Sequence, residues 1–121
     1  MSKIDLEIKF ASKDYWRRFL KRAVALLEAR DARRLGKRYP FSMDGRILFT
    51  VGDRASHADI AVLDVSAEGI MGVTQHEIPV RADVRVEIAP EGTIFALRGR
   101  TVHSTQSLGG YKTGIELSFV D

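Results

Sequence analysis

Residues 12–32 are the first stretch with a clear period. Trp16, Phe19, Leu20, Ala23, Val24 and Leu27 recur at intervals of three and four, which lines them along one helical face. Lys21, Arg22 and Glu28 fall off that face. Ser12 stands where an N-cap hydroxyl is wanted, and Asp14 lies in the first turn, where negative charge meets the positive end of the helix dipole. Gly36 and Pro40 interrupt the pattern, so the helix is expected to stop by about residue 35. After Pro40 the period drops to two. Segments 41–51, 57–65, 69–74, 82–89, 93–104 and 111–120 are rich in Val, Ile, Phe and Thr. Between them lie Gly52-Asp53, Ala67-Glu68, the run from His76 to Val80, Pro90-Glu91-Gly92 and Gly109-Gly110, each short enough for a turn or brief loop. Val84, Val86 and Ile88 alternate with Arg85 and Glu87, and Ile115, Leu117 and Phe119 alternate with Glu116 and Ser118, as in strands buried on one side and wet on the other.

Six short strands without helical crossovers predict an all-β antiparallel sheet with an added N-terminal helix. A barrel or a sandwich would protect its edges. Phe10 and the segment from Ile4 to Ile8 form a candidate further strand. A chain of 121 residues has room for one domain. It divides into an N-terminal segment, 1–33, carrying the helix at about 12–32, and a β domain, 34–121, that begins with a basic arm. The apolar stripe of the helix must pack on something, either a barrel opening or a second copy of the chain.

Composition narrows the function classes. At 45% hydrophobic and 29% charged, the chain fits a soluble globular protein. It has no cysteine, so neither a disulfide framework nor a thiolate metal site is available. The N-terminal MSKIDLEIKFASKDYW carries charges throughout and lacks the apolar core of a signal peptide, and no apolar run approaches a membrane span. A cytoplasmic location is expected. His57, His76 and His103 lack metal-ligand spacing and read as surface or strand histidines. Ser66 lies two residues from Asp64, but that placement supplies no base for a nucleophile. Neither a nucleophile elbow nor a phosphate loop nor a dinucleotide fingerprint occurs. The remaining carboxylates are scattered over expected solvent faces. The expectation is a binding protein without cofactor or metal, not an enzyme.

Net charge is only +3, but it is unevenly placed: Arg30, Arg33, Arg34, Lys37 and Arg38 crowd around a single Asp31. Such a cluster favours a phosphate-bearing partner, although cations also suit the C-terminal end of a helix. Within it, Arg34-Leu35-Gly36-Lys37-Arg38 has RxxxR spacing and runs directly into Tyr39-Pro40-Phe41. Further on, Asp64-Val65-Ser66-Ala67-Glu68-Gly69 has DxSxxG spacing where one strand turns into the next. Twenty-five residues separate Arg38 from Asp64.

Together these features resemble the PilZ family, whose signature is RxxxR followed after some twenty to thirty residues by D/NxSxxG. The flanking RYPF and VLDVSAEGI and the late GIELSF are also similar, and the resemblance covers about residues 30–121. It implies a six-stranded PilZ-type β-barrel that acts as a bacterial second-messenger receptor for cyclic di-GMP. The arm bearing Arg34 and Arg38 would fold over the nucleotide against the barrel face bearing Asp64, Ser66 and Gly69. Arginine suits this ligand because it pairs bidentately with phosphate and donates to, or stacks on, guanine. The Asp64 carboxylate would accept the guanine N1 and N2 hydrogens, Ser66 would bond base or phosphate, and Gly69 would permit positive φ or close backbone approach. Arg30 and Arg34 also stand at RxxxR spacing; Arg34 and Arg38 are preferred because the first strand follows at once. Arg30 and Arg33 are secondary candidates, and a cation at position 33 would favour two stacked dinucleotides. The implied partner is a downstream protein of motility, exopolysaccharide or pilus machinery, with a homodimer as a further candidate.

The leading helix departs from the usual pattern, and since the last expected strand runs to residue 120, no helix is expected after it within these 121 residues. Other readings stay open. Asp64 and Ser66 can simply organise a turn. A PilZ-like interaction module can dispense with nucleotide. A nucleic-acid-binding barrel would use the arm with Trp16, Tyr39 or Phe41, but aromatics make up only 8% of the chain and no strand interleaves them with basic residues.

Overall fold

The computed structural model describes residues 9–28, 39–89, 92 and 94–119, with no side-chain placement for 23–28 and 39–41. The elements in chain order are β1 (Lys9–Phe10), α1 (Lys13–Glu28), β2 (Tyr39–Val51), β3 (Arg54–Val65), β4 (Gly69–Thr74), β5 (Asp83–Ile88), β6 (Phe95–Ser107) and β7 (Gly110–Ser118). The expected strands are all present. Several run a few residues longer than the apolar pattern, because backbone pairing continues past the last buried side chain. The expected extension of the helix to residue 32 and the strand candidate at Ile4–Ile8 lie outside the described residues; Phe10 does pair, as part of β1.

Strands β2 to β7 close into a six-stranded antiparallel barrel with ring order β6–β5–β2–β3–β4–β7, shut by the β6–β7 pairing. β1 lies outside the ring. It runs parallel to β6, with Lys9 opposite Phe95 and Phe10 opposite Ala96. The β6–β7 ladder reaches Arg98 opposite Ser118, so β1 continues the β6 edge that β7 leaves. Period-two alternation points Ile47, Ile60, Val62, Val86, Leu97 and Ile115 inward, each at most 2% exposed. Gly99 also faces inward. A Cβ there would stand 2.5 Å from the Glu116 carbonyl oxygen and 2.7 Å from Ile115 Cγ2. The wall bends tightly at this point, and Gly99→Val is expected to cost about 2 kcal/mol by overpacking, read as a lowered chemical-denaturation midpoint.

α1 closes one side of the core. The Ser12 hydroxyl accepts from Tyr15 N–H at 3.0 Å, giving the expected N-cap. Trp16, Phe19 and Leu20 are buried, while Lys21 and Arg22 are exposed, as their spacing requires. Trp16 stacks on Phe19 at 5.4 Å and meets Phe95 edge-on at 6.5 Å, so the stripe packs on the barrel where β6 begins. The described part of the stripe, Trp16, Phe19 and Leu20, is buried on the barrel.

One carboxylate departs from the expected solvent face. Glu87 does point away from the core, yet it is 6% exposed. Arg46 Nη2 donates to its Oε1 at 2.9 Å. Arg85 Nη2 lies 3.0 Å from Oε2, an ion contact outside hydrogen-bond angles. Glu87→Ala would leave two neighbouring guanidinium groups without their anion. About 2–3 kcal/mol of destabilisation is expected, at the low end for a buried pair because both arginines reach water; guanidinium unfolding measures it.

Candidate functional site

β3 ends at Val65 and β4 begins at Gly69, so the DxSxxG residues span the turn that joins two ring neighbours. Ser66 N–H donates to Gly69 O at 2.8 Å and closes the turn. The Ser66 hydroxyl also serves it, donating to Gly69 O at 3.3 Å and accepting from Glu68 N–H at 3.2 Å. Among the described residues, one lone pair of the hydroxyl takes no further hydrogen bond. The turn is fixed from outside as well. Glu68 O accepts from Leu117 N–H at 2.8 Å, and Trp16 Nε1 donates to Ser66 O at 2.9 Å. The core-packing helix therefore holds the motif turn directly, a link that no local pattern in the sequence contains.

Gly69 does not have positive φ. The reason for glycine there is close approach: a Cβ would stand 2.9 Å from Ile115 O on β7. That approach is to the barrel's own backbone. Asp64 precedes the turn at an irregularity in the ladder, where Val62 pairs with Gly72 and Asp64 with Met71, leaving Leu63 over. Leu63 and Asp64 both leave the buried face, and Asp64 is half-buried.

The arm residues Arg30, Arg33, Arg34 and Arg38 lie outside the described residues. Their attachment point is described. Tyr39, bonded to Arg38, pairs with Val65, and Pro40 pairs with Asp64. The RxxxR segment thus joins the barrel beside the DxSxxG turn.

Ser66 and Gly69 line a cleft of about 280 Å³ together with Glu68, His103, Gly114 and Glu116; Asp64 lies outside it. His103 and Glu116 were not expected at the site. The clue was Gly114, an isolated glycine inside a strand, which often marks a bulge or a close approach. β6 does bulge here: Thr101 pairs with Ile115 and His103 with Gly114, with Val102 extra.

A larger open cleft of about 580 Å³ lies along the outer row of Leu48, Arg85, Arg98 and Ser118. β1 sets the Phe10 ring 4.2 Å from the Arg98 guanidinium and 5.9 Å from that of Arg85. Strand pairing therefore puts an aromatic ring among basic groups although no single strand interleaves them.

Among the described residues, no group of three or more His, Asp or Glu could hold a metal ion, and no helix is long and apolar enough to cross a membrane. Comparison with protein-family models and with curated proteins finds no match for the chain.

Proposed function

We propose that this protein is a PilZ-type receptor for cyclic di-GMP, a non-enzymatic bacterial effector that changes conformation on binding and passes the change to a partner protein. The observation that carries the reading is the pairing of Pro40 with Asp64, which brings the start of the arginine arm to the carboxylate motif. Arg34 and Arg38 clamp the phosphates and guanine edges, with Arg33 and Arg30 adding positive field. Asp64 accepts from a guanine Watson–Crick edge, and the spare lone pair of Ser66 accepts from base or phosphate-bound water. Closure of the arm over the ligand is an order-promoting switch. It reaches α1 directly through the chain and through the Trp16–Ser66 hydrogen bond.

Calorimetric titration with cyclic di-GMP tests the reading, with GTP and cyclic AMP as controls. Micromolar or tighter binding is expected for the cyclic dinucleotide alone. A stoichiometry of two ligands per chain is expected from Arg33, and one per chain would remove that role from it. The engagement of the Ser66 hydroxyl within its own turn favours a second reading, a PilZ-like interaction module without nucleotide. A flat titration on folded protein would select it.

A further inference from the structure

The larger cleft holds a basic and aromatic group that neither motif uses. We infer that this cleft, along Leu48, Arg85, Arg98 and Ser118, docks an extended acidic segment of a partner protein. One carboxylate of the segment sits between Arg85 and Arg98, and an apolar side chain two residues away rests on Leu48. None of these residues belongs to the RxxxR or DxSxxG segments, so the inference stands apart from the nucleotide reading.

The charges come first. Arg85 and Arg98 stand directly opposite each other on β5 and β6. Like charges so placed repel and lower stability unless an anion lies between them. Glu87 serves one of the two, since Arg46 and Arg85 share its carboxylate. No described carboxylate forms an ion pair with Arg98. Its guanidinium lies instead 4.2 Å from the centre of the Phe10 ring, a weak substitute for an anion at an exposed site. β1 is only two residues long, and its Phe10 ring is 43% exposed. Laid on that ring, the planar Arg98 fork is oriented in advance and keeps an N–H edge free for a carboxylate.

The shape points to an extended chain. The cleft encloses about 580 Å³ and crosses the wall from Leu48 on β2 through Arg85 and Arg98 to Ser118 on β7. Three strand spacings make it roughly 14 Å long, the reach of about four extended residues. Leu48 is half-buried and lies one and a half spacings, about 7 Å, from the point midway between the two arginines. Alternate residues of an extended peptide stand about 6.7 Å apart and point the same way. An apolar residue on Leu48 therefore places the residue two positions along between the two guanidinium groups.

Charge decides the class of partner. Arg85 and Arg98 line the cleft together with Asp83. Arg46 beside them is matched by Glu87, and Arg100, opposite Asp83, also faces Glu116. The local excess is a single positive charge, which one carboxylate neutralises. A nucleic-acid strand carries a phosphate at every nucleotide and calls for a groove of cations with free stacking rings along it. Here Arg98 already covers one face of the Phe10 ring. A peptide with one acidic residue and one apolar residue at alternate positions fits the wall on both counts.

The test is NMR titration of the full chain, without nucleotide, using the peptide acetyl-Ser-Leu-Ser-Glu-Ser-amide. Two counterparts serve as controls, one with glutamine for glutamate and one with serine for leucine. The backbone amides of Leu48, Arg85 and Arg98 are expected to shift and to saturate at about millimolar affinity, in keeping with so small a ligand. The glutamine peptide binds about tenfold more weakly, because the charge-assisted bidentate contact is gone. Arg98→Gln also weakens binding about tenfold but does not lower the melting temperature, since it relieves the repulsion with Arg85. Arg98→Lys keeps the charge without the fork and recovers part of the affinity. Unmoved amides, an equal response to the glutamine peptide, or wild-type affinity in folded Arg98→Gln overturns the inference. An equal response to the peptide lacking leucine overturns the Leu48 contact. Single-stranded oligo-dT that shifts the same amides more tightly than the peptide overturns the inference in favour of nucleic acid. Asp64→Ala and Arg34→Ala are expected to bind the peptide like wild type, so this result and that of the cyclic di-GMP titration fail independently.

Discussion

Asp64→Ala, Arg34→Ala and Arg38→Ala are each expected to weaken cyclic di-GMP binding on the order of a hundredfold, while leaving the melting temperature within a few degrees of wild type. Removing one member of a charge-assisted contact to a desolvated ligand costs about 2–5 kcal/mol, partly because the group left behind has no partner. Each substitution removes such a member. The Asp64 carboxylate would leave guanine donors without an acceptor, and either arginine would leave a phosphate with one clamp fewer. Asp64 lies off the core face, and the barrel interior is built from the opposite side of the strands, so stability should change little. Calorimetry and thermal denaturation on the same samples separate the two effects. Unaltered affinity in all three folded variants would remove the nucleotide from these residues. Lysine at 34 or 38 provides a sharper control. It keeps the charge but not the planar fork, so Arg38→Lys should recover only part of the loss.

The second large effect is expected at Trp16. It is fully buried, stacks on Phe19, meets Phe95 edge-on and donates its indole hydrogen to Ser66 O. Trp16→Ala should destabilise the protein by about 3–5 kcal/mol, from lost transfer energy together with a cavity that α1 and β6 cannot fill. For a domain of this size that is a drop in melting temperature of roughly 10–20 °C. Trp16→Phe separates packing from the hydrogen bond. It keeps much of the apolar volume and removes the indole donor, so Ser66 O loses its partner at about 1 kcal/mol. If the Trp16 bond tethers the motif turn as proposed, Trp16→Phe should change cyclic di-GMP affinity measurably although Trp16 itself does not line the cleft. Equal affinity in a folded Trp16→Phe protein would confine Trp16 to the core.

These two predictions draw on different parts of the molecule. The first depends on residues whose spacing is visible in the chain. The second depends on a contact between residues fifty positions apart. The same division runs through the fold. The three-and-four spacing of Trp16, Phe19 and Leu20 marks the buried face of α1, and Ser12 marks its start, because helical geometry is local and side-chain direction repeats every turn. Likewise Val84, Val86 and Ile88 announce a strand and its inner face, since pleating alone alternates neighbours. The RxxxR and DxSxxG spacings are equally local, and the chain displays both without help from the fold.

Pairing is another matter. Closure of β4 on β7 and of β2 on β5 joins residues far apart in sequence, and many registers satisfy the same alternation. Only the closed ring determines which outer residues meet. It buries Glu87 between two arginines although its alternation marks it as wet, and it sets Phe10 beneath Arg98. It lays His103 on Gly114 and brings both beside the Ser66 turn. The chain by itself determined the elements, their buried faces and the two motifs, because these follow from backbone periodicity and from spacing within a few residues. The tertiary structure decided the company those motifs keep, because bulges and the stagger of a closed barrel fix contacts that no local period encodes.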